Sequence, residues 1–83
     1  MTETPIPEVR VDFQNSDSSG NVRLNTVGTL QDLARQGVRL EPGLVLRLVD
    51  AELVAHGRVR FSDQEHTWVA EVNWREVIPP ADE

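Results

Sequence analysis

Three consecutive stretches of this chain alternate apolar and polar residues with period two, and they do so in a compatible phase. Leu44, Leu46 and Leu48 share one side of the first; Leu53, Ala55, Gly57, Val59 and Phe61 share one side of the second; Trp68, Ala70, Val72 and Trp74 share one side of the third. Period two is the repeat of a pleated strand, so the three runs predict an antiparallel meander with one inward face. A loop over residues 49–52 pairs Leu48 with Leu53 and Leu46 with Ala55. At the second turn Phe61 pairs with His66 or with Trp68, and the second choice sets Arg58 opposite Glu71. Both choices keep the apolar positions on one side, as the pleat requires. Gly57 marks the expected bend or bulge, which a small barrel needs in order to close.

The upstream residues supply what covers that face. Val9, Val11 and Phe13 alternate with Glu8, Arg10 and Asp12, and Val22 and Leu24 resume the alternation after QNSDSSG, a stretch dense in turn formers. This predicts a hairpin of about 8–13 with 21–25. In VGTLQDLARQG, Thr29 reads as a helix cap with Asp32 three residues on. Leu30, Leu33 and Ala34 then form the inward face, and Gly37 is the C-terminal stop. Glu41-Pro42-Gly43 is a tight turn. After Trp74, REVIPP gives one turn that ends at two prolines.

The predicted fold is thus mostly β (α+β), a small five-stranded open or SH3-like barrel in the order β-β-α-β-β-β with one short helix. Residues 1–7 read as a flexible N-terminus, 8–78 as the single domain and 79–83 as an acidic tail. Trp68 and Trp74 share the inward parity and read as core. Trp74 sits at a strand end, where an indole can rest half exposed.

The totals narrow the function classes. A chain of 83 residues has room for one compact core and little for a pocket. No apolar run approaches the roughly 18 residues of a membrane span, and MTETPIPEV lacks a signal-peptide pattern. With no cysteine, there is neither a disulfide framework nor a thiolate metal site, and the reading is a soluble, cytoplasmic protein. There is also no lysine and no tyrosine, and the two histidines, His56 and His66, have no partners at catalytic spacing. No catalytic residue, metal ligand or cofactor is expected: His66 with Asp63 and Glu65 is a solvated turn without the spacing of a metal site. The chain is read as a protein that is not an enzyme.

Charge is distributed unevenly. The formal net charge is −6, yet residues 20–61 carry six arginines against Asp32, Glu41, Asp50 and Glu52. The outward parity of the meander places Arg47, Val54, Arg58, Arg60 and Val69 on one face, and guanidinium groups beside valines are expected to form a protein-docking patch. The acidic flanks and Glu71 oppose duplex DNA. The function expected is therefore a non-catalytic interaction module that binds a protein partner or self-associates as a homodimer, with sheet edges as templates for an added strand.

Three resemblances accompany this reading. The span VRLNTVGTLQDLARQGVRLEPGLVLRLVD with GRVRF and WVAEVNW resembles a group of short, uncharacterised bacterial proteins. DLARQGVRL before GLVLRL and HGRVRF is similar to the barrel of PilZ domains, which implies a cyclic-dinucleotide site at Arg10, Asp32 and Gly37; the chain departs from that pattern in having Ala34 in place of a serine and one arginine in place of two. ARQGVRLEPGLVLRL resembles looped-hinge regulators and antitoxins, which implies a swapped, DNA-binding dimer; the departure is the full meander that follows.

Overall fold

The computed structural model describes residues 5–83. Residues 1–4 of the expected flexible N-terminus lie outside them. The elements follow the expected order: β1 (Glu8–Arg10), β2 (Val22–Arg23), α1 (Val27–Gln36), β3 (Val45–Val49), β4 (Val54–Ser62) and β5 (Thr67–Val72). They form one curled five-stranded sheet, a half-barrel, in the spatial order β1-β3-β4-β5-β2. The inner face buries Val9, Val11, Phe13, Val22, Leu24, Leu33, Leu46, Leu48, Ala55, Val59 and Ala70 as one core. The fold is mostly β with a single α-helix, as the alternation implies.

The meander has the expected parity and, at its second turn, the second of the two expected registers: Phe61 faces Trp68 and Arg58 faces Glu71. At the first turn the register is shifted by two residues. Leu48 faces Ala55 and Leu46 faces Gly57, because Asp50 closes the turn one residue later than expected. Its Oδ1 accepts the backbone N–H groups of Glu52 and Leu53, each at 2.8 Å, and its own N–H donates to the Leu53 carbonyl at 3.0 Å. An even shift leaves every side chain on its face. No bulge occurs at Gly57, which is paired without interruption to Leu46 on one side and Val72 on the other. A Cβ there would stand 2.8 Å from Leu48 Cδ1 and 2.9 Å from the Ala70 Cβ, so the glycine permits close packing across the curled face.

The expected hairpin of 8–13 with 21–25 is not formed. β1 instead runs parallel to β3, with Val9 facing Leu48. The arm that pairs with β2 comes from the loop itself: Ser16 bridges Val22, Arg23 N–H donates to the Asn15 carbonyl and Asp17 N–H donates to the Asn21 carbonyl. Asp17 organises that short reversal by accepting the N–H groups of Ser19 and Asn21 at 2.9 and 3.0 Å, the carboxylate-to-backbone bonding that favours Asp in turns.

At the other end, β5 gives way to a 3₁₀ turn, Trp74–Glu76, in which Asn73 Oδ1 accepts the Arg75 N–H at 3.1 Å. The chain then re-enters the sheet at Ile78, which exchanges two backbone hydrogen bonds with Val54 at 2.7 and 3.1 Å. Trp74 is 43% exposed. Its indole N–H donates to the Gly20 carbonyl at 2.7 Å and its ring meets Phe13 edge-on at 6.0 Å. Trp68 is half-buried against the core and meets Phe61 edge-on at 5.2 Å. Trp74 therefore fastens the end of the meander to the loop before β2, while Trp68 packs against the border of the core. The last residues, 79–83, contain a second 3₁₀ turn, Pro80–Asp82, and Glu83 pairs with Arg47.

Candidate functional site

The outer face of the meander differs from the expected docking patch. Val54 is 4% exposed and Val69 fully buried. Neither is available for contact: Ile78 pairs with Val54, and Val69 lies between Arg23 and Arg60 in the register, where apolar arginine stems cover neighbouring surface. Arg47 is held by Glu8 through Nε at 2.8 Å and by both carboxylate oxygens of Glu83. Glu83, then Glu8, raise its pKa above the ordinary arginine range. Arg60 lies 3.7 Å from Glu71, and Arg58 has no ion-pair partner among the described residues. On this face Arg47 and Arg60 already meet acids and Val54 and Val69 are covered, while Val45, opposite Arg58, is 37% exposed.

The three residues implied by the PilZ resemblance are separated in role. Arg10 and Asp32 are brought together, while Gly37 lies at the end of α1 in the left-handed conformation (φ 66°) and completes a helix stop in which Val38 N–H reaches the Leu33 carbonyl. Asp32 is buried; its Oδ2 accepts the Arg10 backbone N–H at 2.8 Å and Nε at 3.0 Å, and its Oδ1 accepts Arg10 Nη2 at 2.9 Å and Arg35 Nη2. Hydrogen bonds from the Arg10 guanidinium, then from its backbone N–H, hold the carboxyl at about 2, against the opposing effect of burial.

This pairing belongs to a longer seam. Beside β3, the outer edge of β1 leaves the polar groups of Glu8 and Arg10 without a strand partner. Gln36 Nε2 donates to the Glu8 carbonyl at 2.8 Å, Asp32 takes the Arg10 N–H, and Thr29 Oγ1 donates to the Arg10 carbonyl at 2.5 Å. Side chains at positions 29, 32 and 36 of one helix thus occupy the place of a neighbouring strand. The β2 edge is occupied as well, by Asn15 and Ser16. Side-chain and loop groups thus occupy both edges of the sheet at positions where a further strand would pair.

The seam also decides which face of α1 looks outward. The helix starts at Val27, capped by Thr26, whose Oγ1 accepts Thr29 N–H at 3.3 Å; the expected cap, Thr29, is instead a buried residue of the helix. With the polar residues turned inward, Leu33 is the one large apolar side chain that α1 buries. Val27 is 71% exposed, Leu30 52%, and Ala34 is also exposed. At 3.6 residues per turn these three lie within about 60° of one another, on the side opposite Thr29, Asp32 and Gln36. Residues 27, 30 and 34 therefore form an apolar stripe over solvent. Its flank is cationic: the Arg10 side chain lies along Gly28, 3.6 Å from where a Cβ would stand, and Arg35 is largely exposed on the same side.

Two shallow clefts, of about 230 and 260 Å³, complete the surface. The first lies between Arg47, His56, Glu76, Ile78 and Glu83, the second between Asp12, Gln14, Asp50 and Glu52. Two of the three carboxylates of the second already accept backbone N–H groups: Asp12 that of Gln14, Asp50 those of Phe13, Glu52 and Leu53. Among the described residues no group of His, Asp and Glu is placed to hold a metal ion, and no helix is long and apolar enough to cross a membrane. No family model matches this chain, and neither a curated protein nor a solved structure does.

Proposed function

We propose that the protein is a non-catalytic interaction module whose contact surface is the outer face of α1. The observation that carries this reading is the apolar stripe Val27, Leu30 and Ala34, left over solvent by a helix that buries Thr29 and Asp32 instead. Exposing a valine and a leucine side by side forgoes the roughly 1.5–3 kcal/mol that burying each would contribute, and contiguous apolar surface rimmed by charge is the usual form of a docking site. A protein partner is favoured over a cyclic dinucleotide because Arg10 and Asp32 satisfy each other, and over duplex DNA because the chain is acidic and Arg47 already holds two carboxylates.

The test is a photo-crosslinking residue placed at position 30, and separately at position 58 on the meander, in the protein's native host. Adducts with another polypeptide are expected at 30 and not at 58. Adducts confined to 58, or to neither, would overturn the assignment. Calorimetric titration with cyclic di-GMP is expected to show no heat of binding, and saturable binding lost with Arg10→Ala would promote the dinucleotide reading.

A further inference from the structure

We infer that the occupant of the α1 face is an amphipathic helix of another protein, with apolar anchors bordered by acidic side chains, rather than a second copy of this chain. The inference rests on the reading of that face as a contact surface and goes on to name what fits it.

Shape selects a helix. Val27, Leu30 and Ala34 form a ridge about 10 Å long at the 1.5 Å rise of a helix, and such ridges pack into the grooves between side chains of a facing helix. Ala34 is small, so a partner helix can approach closely at that end of the ridge. A contact of about two turns covers less than the roughly 800 Å² per partner of a standard interface, which places it among transient contacts.

Charge selects the composition. Arg10 and Arg35 share one buried carboxylate, Asp32, so the flank of the stripe keeps an excess of positive charge in a protein of net charge −6. Symmetry disfavours self-pairing. A twofold axis that sets two α1 helices antiparallel brings the arginine flank of one against the same flank of the other. One that sets them parallel lays each flank along the Leu30 side of its mate. Neither arrangement supplies an acid from the helix, because the one acid in VGTLQDLARQ is Asp32, which is buried. A partner helix bearing Glu or Asp beside its apolar anchors supplies it in either direction, and such complementarity fixes orientation and excludes mismatched partners.

The test uses the full chain, ¹⁵N-labelled, and three synthetic helical peptides with the same leucine ridge, flanked by Glu, by Lys or by Gln. The Glu peptide is expected to shift the amides of α1 and to bind about tenfold more tightly than the Lys peptide, the size expected of two exposed ion pairs. Leu30→Asp, with the sheet amides unchanged, is expected to abolish the shifts, and Arg35→Gln to reduce the Glu-over-Lys preference about threefold. Equal binding of the Glu and Lys peptides at α1 would overturn the acidic partner and leave the contact surface standing. A concentration-dependent dimer in sedimentation, dissolved by Leu30→Asp, would overturn the heterologous occupant in favour of a second copy. Shifts confined to other elements would overturn both the occupant and the surface.

Discussion

The Asp32 carboxylate accepts the backbone N–H of Arg10 at 2.8 Å and the Nε of the same residue at 3.0 Å, both through Oδ2. One helical side chain thereby ends the hydrogen-bonding edge of a strand and neutralises the residue at its end. Replacing it leaves an unpaired N–H at a covered edge and a guanidinium without its partner. Asp32→Ala is expected to destabilise the fold by about 2–3 kcal/mol, below the 3–5 of a fully buried pair because the Arg10 side chain is half exposed. Thr29→Val, which removes the bond to the Arg10 carbonyl and the hydroxyl contact with Thr26, is expected to cost about 1–2 kcal/mol. Urea unfolding of both variants, with the Arg10 amide followed by hydrogen exchange, checks the order: faster exchange at Arg10 is expected in Asp32→Ala.

Gly57 allows Leu48 and Ala70 to meet across the curled sheet. A methyl group there would fall 2.8 Å from Leu48 Cδ1, which can rotate away, and 2.9 Å from the Ala70 Cβ, which is fixed to the backbone. Gly57→Ala is therefore expected to destabilise by about 1–3 kcal/mol as overpacking. Ala70→Gly on that background is expected to recover part of the loss, a non-additivity that a double-mutant cycle by chemical denaturation measures.

These two positions show where the sequence was legible. The meander could be read because its alternation persists over three strands and an even register shift leaves no trace in parity; for the same reason parity left Phe61 open to His66 or Trp68, and the structure takes Trp68, with Arg58 opposite Glu71. Gly57 was recognised as unusual, but the sequence does not distinguish a bulge from a close approach, which depends on the neighbours that curl toward it. The helix misled for a different reason. Leu30, Leu33 and Ala34 form an apolar face on paper, and burial of that face is the ordinary rule. Here the outer edge of β1 had three backbone groups to satisfy, and Thr29, Asp32 and Gln36 turned inward to do it. The parallel pairing of β1 with β3 was equally hidden, since a long-range strand partner leaves no local signal. Without it Asp32 had no reason to be buried, and Leu30 and Ala34, which it displaced to the surface, were read as the inward face.

His66 adopts φ 54°, the left-handed region, in the turn that joins β4 to β5. A β-carbon costs about 1–2 kcal/mol in that region, and the greater freedom of glycine in the unfolded chain offsets part of the gain. His66→Gly is expected to raise stability by about 0.5–1 kcal/mol, a few degrees in Tm for a domain of this size. His66→Val is expected to lower it by more than 1 kcal/mol, roughly the cost of a β-branched residue in a disfavoured region. Thermal melts of the two variants bracket the wild type if the turn conformation is as described, and a melt of His66→Gly below the wild type would contradict it.

The indole N–H of Trp74 donates to the Gly20 carbonyl and fastens the C-terminal 3₁₀ turn to the loop before β2. Trp74→Phe keeps the edge-on contact with Phe13 and removes the donor, at an expected cost of about 1 kcal/mol. It also leaves half-buried Trp68 as the sole indole, so the native emission is expected to shift to shorter wavelength. A red shift would mean that Trp68 is the more exposed of the two.

Acid should weaken the β1–α1 seam. The Asp32 carboxyl is lowered from 3.8 to about 2 by the Arg10 guanidinium and its backbone N–H. A carboxyl with a depressed folded-state pKa contributes stability that is fully present above its unfolded value and is lost as pH falls through the folded one. For Asp32 that window runs from just above 3.8 down to about 2. Asp17, Glu65 and Glu83 are lowered as well, by the Asn21 backbone N–H, Arg23 and Arg47 respectively, and add to the loss with the same sign. Asp32→Asn isolates the contribution of the seam, since it keeps the shape and removes the titration. The wild type is expected to melt well above this variant at pH 6, and the gap is expected to narrow as pH falls through the window, because the wild-type carboxyl is then protonated too. Circular-dichroism melts of both proteins across that range make the comparison, and a gap independent of pH would show that the Asp32 charge does not hold β1 to α1.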